Sequence, residues 1–123
     1  KNCLEAWSQA DAELVASFYC ENLDYRDPSV PQGIRTKTEF VKYLKLLFKI
    51  WPIQNWVLNN VYPHENDSAF SVGYTFQIAN DKAIIRGCGI DRTEFSGDKI
   101  RLNHVYLNAD KWNDWVINEL KSK

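Results

Sequence analysis

An aspartate and a histidine set on one apolar strand face form a pair suited to moving a proton. The C-terminal half of this 123-residue chain offers such a pair in Asp91 and His104. A carboxylate and an imidazole in apolar surroundings are easily tuned for acid–base work. The segment reads Arg86-Gly-Cys-Gly-Ile-Asp91-Arg-Thr-Glu-Phe95, then Ser-Gly97-Asp98-Lys, then Ile100-Arg-Leu-Asn-His104-Val-Tyr106-Leu. Gly97-Asp98 suits a two-residue hairpin turn with glycine at its first central position. The short loop predicts a register in which Phe95 faces Ile100, Thr93 faces Leu102, Asp91 faces His104 and Gly89 faces Tyr106. Alternate side chains share a face, so Asp91 and His104 are expected to meet.

A second hairpin is predicted at Asn80-Asp81, pairing Ala79 with Lys82. It sets Tyr74 opposite Gly87, Val72 opposite Gly89 and Phe70 opposite Asp91. Both registers propagate to one surface that is almost wholly apolar, running from Phe70, Val72, Tyr74 and Phe76 through Asp91 to His104 and Tyr106. That agreement supports both turns, although a bulge would shift part of the map. Gly87 and Gly89 remove side-chain volume beside Asp91 and let the sheet bend. The expectation is a cavity over the glycines, walled by Asp91 and His104, with Trp51, Phe70, Val72, Tyr74 and Tyr106 around it. Such a lining is mostly apolar with few polar groups, as ligand pockets are.

Composition permits this reading. The chain is 45% hydrophobic and 14% aromatic, with a net charge of −1. It is long enough for one compact domain over residues 1–123. The charge leaves no footprint for nucleic acid, and no apolar run reaches the length of a membrane span. Cys3, Cys20 and Cys88 have no metal-like spacing and read as free buried thiols in a reducing, cytoplasmic setting. No glycine-rich phosphate loop, Walker lysine or Cys/His cluster is present, so neither cofactor nor metal is expected.

Helices precede strands. Leu4, Trp7, Leu14, Val15 and Phe18 carry an interrupted helical stripe, with Asp11 as a cap between two short helices. Leu23 to Asp27 reads as a short strand stopped by Pro28, followed by a loop to Gly33. Thr36-Lys-Thr-Glu39 is a capping box. Beyond it Phe40, Tyr43, Leu44, Leu47, Phe48 and Trp51 mark one long amphipathic helix from Thr38 to Ile50, ended by Trp51-Pro52. Four strands are predicted at roughly 55–62, 69–78, 82–95 and 99–108. A last helix begins near Asp110, with Trp112, Trp115, Val116 and Leu120 on one side.

The order of these features, with Tyr25-Arg-Asp27-Pro28, Phe48-Lys-Ile-Trp51-Pro52, Gly89-Ile-Asp91, Gly97-Asp-Lys-Ile100 and Val105-Tyr106, resembles the SnoaL-like polyketide cyclases. These belong to the nuclear transport factor 2-like superfamily. The resemblance implies an α+β cone: a curved, mostly antiparallel sheet with helices packed on its concave face. Family activities include aldol-type ring closure, ketosteroid isomerisation and epoxide hydrolysis, and many members are dimers. The resemblance also implies Asp91 and His104 as acid and base, and puts Asp27 on a loop at the pocket rim. The chain departs from relatives at Leu102 and Asn108, where a Glu and an Asp are common.

Three readings follow. The first is a cofactor-independent acid–base enzyme acting on a small carbonyl-containing or polycyclic molecule. The second is a module that holds an apolar ligand without turnover, and the third is a structural dimer domain. Asp91 and His104 could equally be a structural pair that fixes register, and Asp27 a turn residue. On the outer sheet face the same registers place Ile84, Cys88, Ile90, Val105 and Leu107 beside Arg86, Arg92 and Asn103. An apolar patch rimmed by charge predicts a homodimer through that face.

Overall fold

The computed structural model describes residues 2–64 and 68–109. Two short helices open the chain, α1 (Asn2–Ser8) and α2 (Ala12–Ala16). The Asp11 carboxylate caps α2 by accepting the Leu14 N–H at 3.1 Å, satisfying a donor the first turn leaves free. Strand β1 (Tyr19–Arg26) stops before Pro28, and a short β2 (Ile34–Thr36), absent from the sequence-based reading, pairs with it. Helix α3 (Lys37–Ile50) begins at the expected cap, where Thr36 Oγ1 accepts the Glu39 N–H at 3.2 Å. Phe40, Leu44 and Phe48 on its stripe are buried. Four long strands follow: β3 (Ile53–Pro63), β4 (Ala69–Ala79), β5 (Ile84–Ser96) and β6 (Lys99–Ala109). The helix expected near Asp110 lies outside the described residues.

The strands form one curved sheet in the order β2-β1-β6-β5-β4-β3. β1 runs parallel to β6, and the other pairings are antiparallel. The architecture is the α+β one read from the sequence. The core gathers Trp7, Val15, Tyr19, Leu23, Tyr25, Phe40, Leu44 and Phe48 between the helices and the inner sheet face.

Both hairpin registers differ from expectation. At the first turn Ala79 pairs with Ile84 rather than Lys82. Asn80 Oδ1 accepts the N–H groups of Lys82 and Ala83 at 2.8 and 2.9 Å, so the loop is four residues long. This shift is an even two, and every side chain keeps its face. Asp91 now lies opposite Val72 instead of Phe70, and Gly89 opposite Tyr74 instead of Val72.

The second difference changes the site. The Gly97 turn forms as expected, with φ +63° and Phe95 opposite Ile100. The next pair, however, is Glu94 with Leu102, so Arg101 is an extra residue in β6. A one-residue bulge turns everything beyond it to the other face. Asn103, Val105 and Leu107 therefore point inward, whereas His104 pairs with Arg92 and Tyr106 with Ile90 on the outer face. The bulge leaves Arg101 outside, ion-paired to Glu94. The inner and outer sets of β6 are about equally amphipathic, so alternation within the strand does not choose between them. Partners from β1 do: Tyr19 hydrogen-bonds Asn103 inside, and Asp24 receives His104 outside.

Candidate functional site

A cavity of about 200 Å³ lies between the inner sheet face and the helices. Its aromatic walls come from Trp7 on α1, Tyr25 on β1, Tyr43 on α3, Trp56 on β3, and Tyr74 and Phe76 on β4. Trp7 organises this cluster, with ring centroids 5.6 Å from Phe48 and 5.7 Å from Trp56. Val105 and Leu107, turned inward by the bulge, complete the apolar lining with Leu4, Leu47 and Ile78. Polar groups enter at three places. Asp91 and Asn103 sit together in the sheet, Asp27 and Ser29 border the cavity from the loop after β1, and Gln54 enters from β3.

Asp91 is held from both sides. Asn103 Nδ2 donates to its Oδ2 at 2.9 Å, and Thr93 Oγ1 donates to its Oδ1 at 3.1 Å. Burial raises the Asp91 carboxyl above the usual range, while these two bonds and one from the Val72 backbone pull against that rise. A carboxylate that is desolvated yet hydrogen-bonded is poised to take up a proton. Tyr74, another wall residue, is pushed upward by burial and by the nearby Asp91 and Asp27 charges. It stays a neutral phenol, able to donate.

Asp27 behaves differently. Its Oδ2 accepts from the Tyr25 and Tyr43 hydroxyls at 2.7 and 2.6 Å. Its Oδ1 accepts from the Ser29 N–H, the Ser29 hydroxyl and the Val30 N–H at 2.8, 2.6 and 3.2 Å. Five donors exhaust a carboxylate's roughly four lone-pair sites. Asp27 thus ties the loop to α3 and β1. Burial and the Asp27 charge raise both phenols above their ordinary range.

Of the residues singled out in the sequence, Asp27, Tyr74 and Asp91 line the cavity. His104 does not, and the expected Asp91–His104 contact is absent because the bulge separates their faces. His104 Nε2 instead lies 3.2 Å from Asp24 Oδ2, with the distance of an ion pair but not the alignment of a hydrogen bond. Tyr106 is 61% exposed on the outer face. Trp51 caps the C-terminus of α3, and Trp56 takes the place in the wall expected of it. Phe70 packs on Phe95 at 5.3 Å, away from the cavity. Val72 lies beside Asp91 in the sheet and contributes its backbone.

Gly87 and Gly89 are likewise not wall residues. Space over Gly89 is filled rather than open. A Cβ there would stand 2.8 Å from the Tyr74 ring, 2.8 Å from Leu107 and 2.9 Å from the Tyr106 carbonyl. The glycine lets the Tyr74 ring cross the sheet, and the cavity begins beyond it. Asn103 is the functional candidate missed in the sequence. Its signal is a lone amide between apolar neighbours, legible only once the bulge is placed.

No protein-family model matches the chain, and no curated protein matches it in sequence. In structure it is similar to SalBIII, an epoxide hydrolase/cyclase-like enzyme with a role in pyran ring formation in the polyether salinomycin. The TM-score is 0.75 at 11% identity, over 87% of this chain and 85% of that one. An LEH-like epoxide hydrolase of M. tuberculosis gives 0.71 at 14% identity, over 85% of this chain and 76% of that one. An NTF2-like protein of unknown function from Exiguobacterium sp. 255-15 gives 0.71 at 12% identity, over 87% and 92%. At these identities the likeness is one of fold. The chain has the fold of the nuclear transport factor 2-like proteins.

Proposed function

We propose that the protein is a cofactor-independent acid–base enzyme acting on a small, uncharged, apolar molecule that carries a carbonyl group or an epoxide. The observation that carries this reading is Asp91: a buried carboxylate, raised by its burial, at a mostly apolar cavity. In this mechanism Asp91 takes a proton from carbon or from an attacking hydroxyl. The Tyr74 phenol donates to the oxygen on which charge develops, and Asp91 then returns the proton. His104 takes no part, since it faces the other side of the sheet. No lysine, arginine or histidine lines the cavity among the described residues. A carboxylate or phosphate ligand would meet Asp91 and Asp27 without a counter-charge, which argues for an uncharged substrate. Structural neighbours that include an epoxide hydrolase and a cyclase-like enzyme are compatible with this class of chemistry.

The test is a screen of small ketones and epoxides in deuterated water, reading proton exchange and hydrolysis by NMR. Exchange or ring opening that Asp91→Asn abolishes supports the proposal. A second reading, a module that holds an apolar ligand without turnover, draws support from the displacement of His104, which takes the imidazole expected beside Asp91 to the other face of the sheet. Quenching of Trp7 and Trp56 fluorescence by a compound that neither exchanges nor opens would favour it.

We further propose a homodimer through the outer sheet face. Ile84, Ile90 and Tyr106 are 54%, 45% and 61% exposed there, and Cys88 is exposed beside them. Val105, Leu107 and Asn103, expected in this patch from the sequence, point inward instead. Among the described residues no helix is long and apolar enough to cross a membrane. The three free thiols fit a reducing compartment such as the cytoplasm.

A further inference from the structure

The donors that hold Asp91 are themselves held. Asn103 gives its Nδ2 to Asp91 Oδ2 at 2.9 Å and approaches Thr93 Oγ1 at 3.2 Å. The other end of its amide is engaged too, since the Tyr19 hydroxyl donates to Asn103 Oδ1 at 2.8 Å. Asn103 and Tyr19 are 5% and 2% exposed. An amide flipped end for end would set Oδ1 against the carboxylate, two acceptors with no proton between them. The carboxylate, which only accepts, selects the other orientation, and the Tyr19 hydroxyl then holds it by donating to Oδ1. Phe40 packs edge-on against the Tyr19 ring at 4.6 Å and keeps the hydroxyl from swinging away. Core packing does not require this arrangement, because the next inward residues of β6, Val105 and Leu107, are apolar.

We propose that Asn103 and Tyr19 are positioning residues: the Tyr19 hydroxyl fixes the Asn103 amide, and the amide holds Asp91 as an acceptor beside the cavity. This rests on reading Asp91 as the base. Among the described residues, the titratable groups that act on Asp91 are Cys3 from α1, Tyr19 from β1 and Tyr74 from β4. Burial pushes all three upward, Cys3 to about 11, so all three stay neutral beside Asp91. The largest pull that keeps Asp91 ionisable comes from hydrogen bonds, and the Asn103 bond leads them.

The experiment is a carbon-13 NMR titration of the Asp91 carboxyl in the unmodified chain, in Tyr19→Phe and in Asn103→Leu. It is paired with the pH dependence of kcat/KM for any ketone that exchanges. The Asp91 midpoint is expected to rise in both variants, further in Asn103→Leu, and the acid limb of kcat/KM should move up by the same amount. A midpoint unmoved in folded Tyr19→Phe overturns the relay. That variant decides alone if Asn103→Leu does not fold, since it removes only one oxygen. The titration needs no substrate. A rising midpoint without turnover upholds the relay and removes the enzymatic reading, whereas turnover with an unmoved midpoint does the reverse.

Discussion

At the scale of single residues, the two aspartates of the cavity have opposite economies. Asp27 is saturated by five donors, whereas Asp91 is desolvated and holds fewer. Asp91→Asn is expected to reduce turnover by about 10²- to 10⁴-fold, the range for losing a general base, with circular dichroism unchanged. Because burial raises the Asp91 carboxyl, the folded protein binds a proton more tightly than the unfolded chain does. The stability linked to that proton is full below the ordinary aspartate range and is lost as pH rises through the raised value. Urea midpoints of wild type relative to Asp91→Asn should therefore fall as pH rises from the ordinary aspartate range through the raised Asp91 value. A difference that stays flat with pH would mean that Asp91 titrates normally. Gly89→Ala should destabilise by about 1–3 kcal/mol, the usual cost of overpacking, because one of its three close neighbours is backbone. Thermal melting would show it.

At the scale of elements, the strands and α3 were legible to within a few residues because alternation and the 3.6-residue stripe are strong local signals. The faces of β4 and β5 also survived an incorrect turn, since the error was an even number of residues. β6 was not legible in the same way. Leu102, His104 and Tyr106 make as plausible an inner set as Asn103, Val105 and Leu107. The choice rests on β1, about 80 residues away in sequence for the Tyr19–Asn103 bond. Hence Asp91 and its place in the cavity could be read, but its partner could not. Short β2 was missed because three residues, Ile34–Thr36, carry too little pattern. Deleting Arg101 tests the bulge directly. Without it Leu102 follows Ile100 opposite Glu94 in a straight ladder, and Asn103 and Val105 keep the inner face they hold opposite Thr93 and Asp91. The Asn103–Asp91 contact should therefore persist in NMR. Its loss in a folded variant would show that the pairing beyond Leu102 is not the one described.

At the scale of the molecule, the sheet divides two kinds of surface. The inner face is committed to the core and the cavity, while the outer face mixes exposed apolar residues with ion pairs. Arg92 and Arg101 both reach Glu94, and Arg26 and Arg35 both reach Asp24. Surface pairs of this kind add little stability, but they can orient a partner. Ile90 and Tyr106 lie directly opposite each other in the ladder, at the apolar part of this face. Ile90→Glu should convert a sedimenting dimer to monomer at micromolar concentration while Trp fluorescence still reports ligand binding. A wild-type protein that sediments as a monomer would sink the dimer.

The knot at Asp27 bears on how fast the cavity can fill. A mouth already tied by five hydrogen bonds has little left to order when a ligand arrives, so association should follow one exponential whose rate climbs in proportion to ligand concentration. Asp27→Ala cuts the loop loose from Tyr25 and Tyr43. Stopped-flow traces of that variant should gain a slower phase that levels off at high concentration, as the loop, and no longer encounter, comes to set the pace.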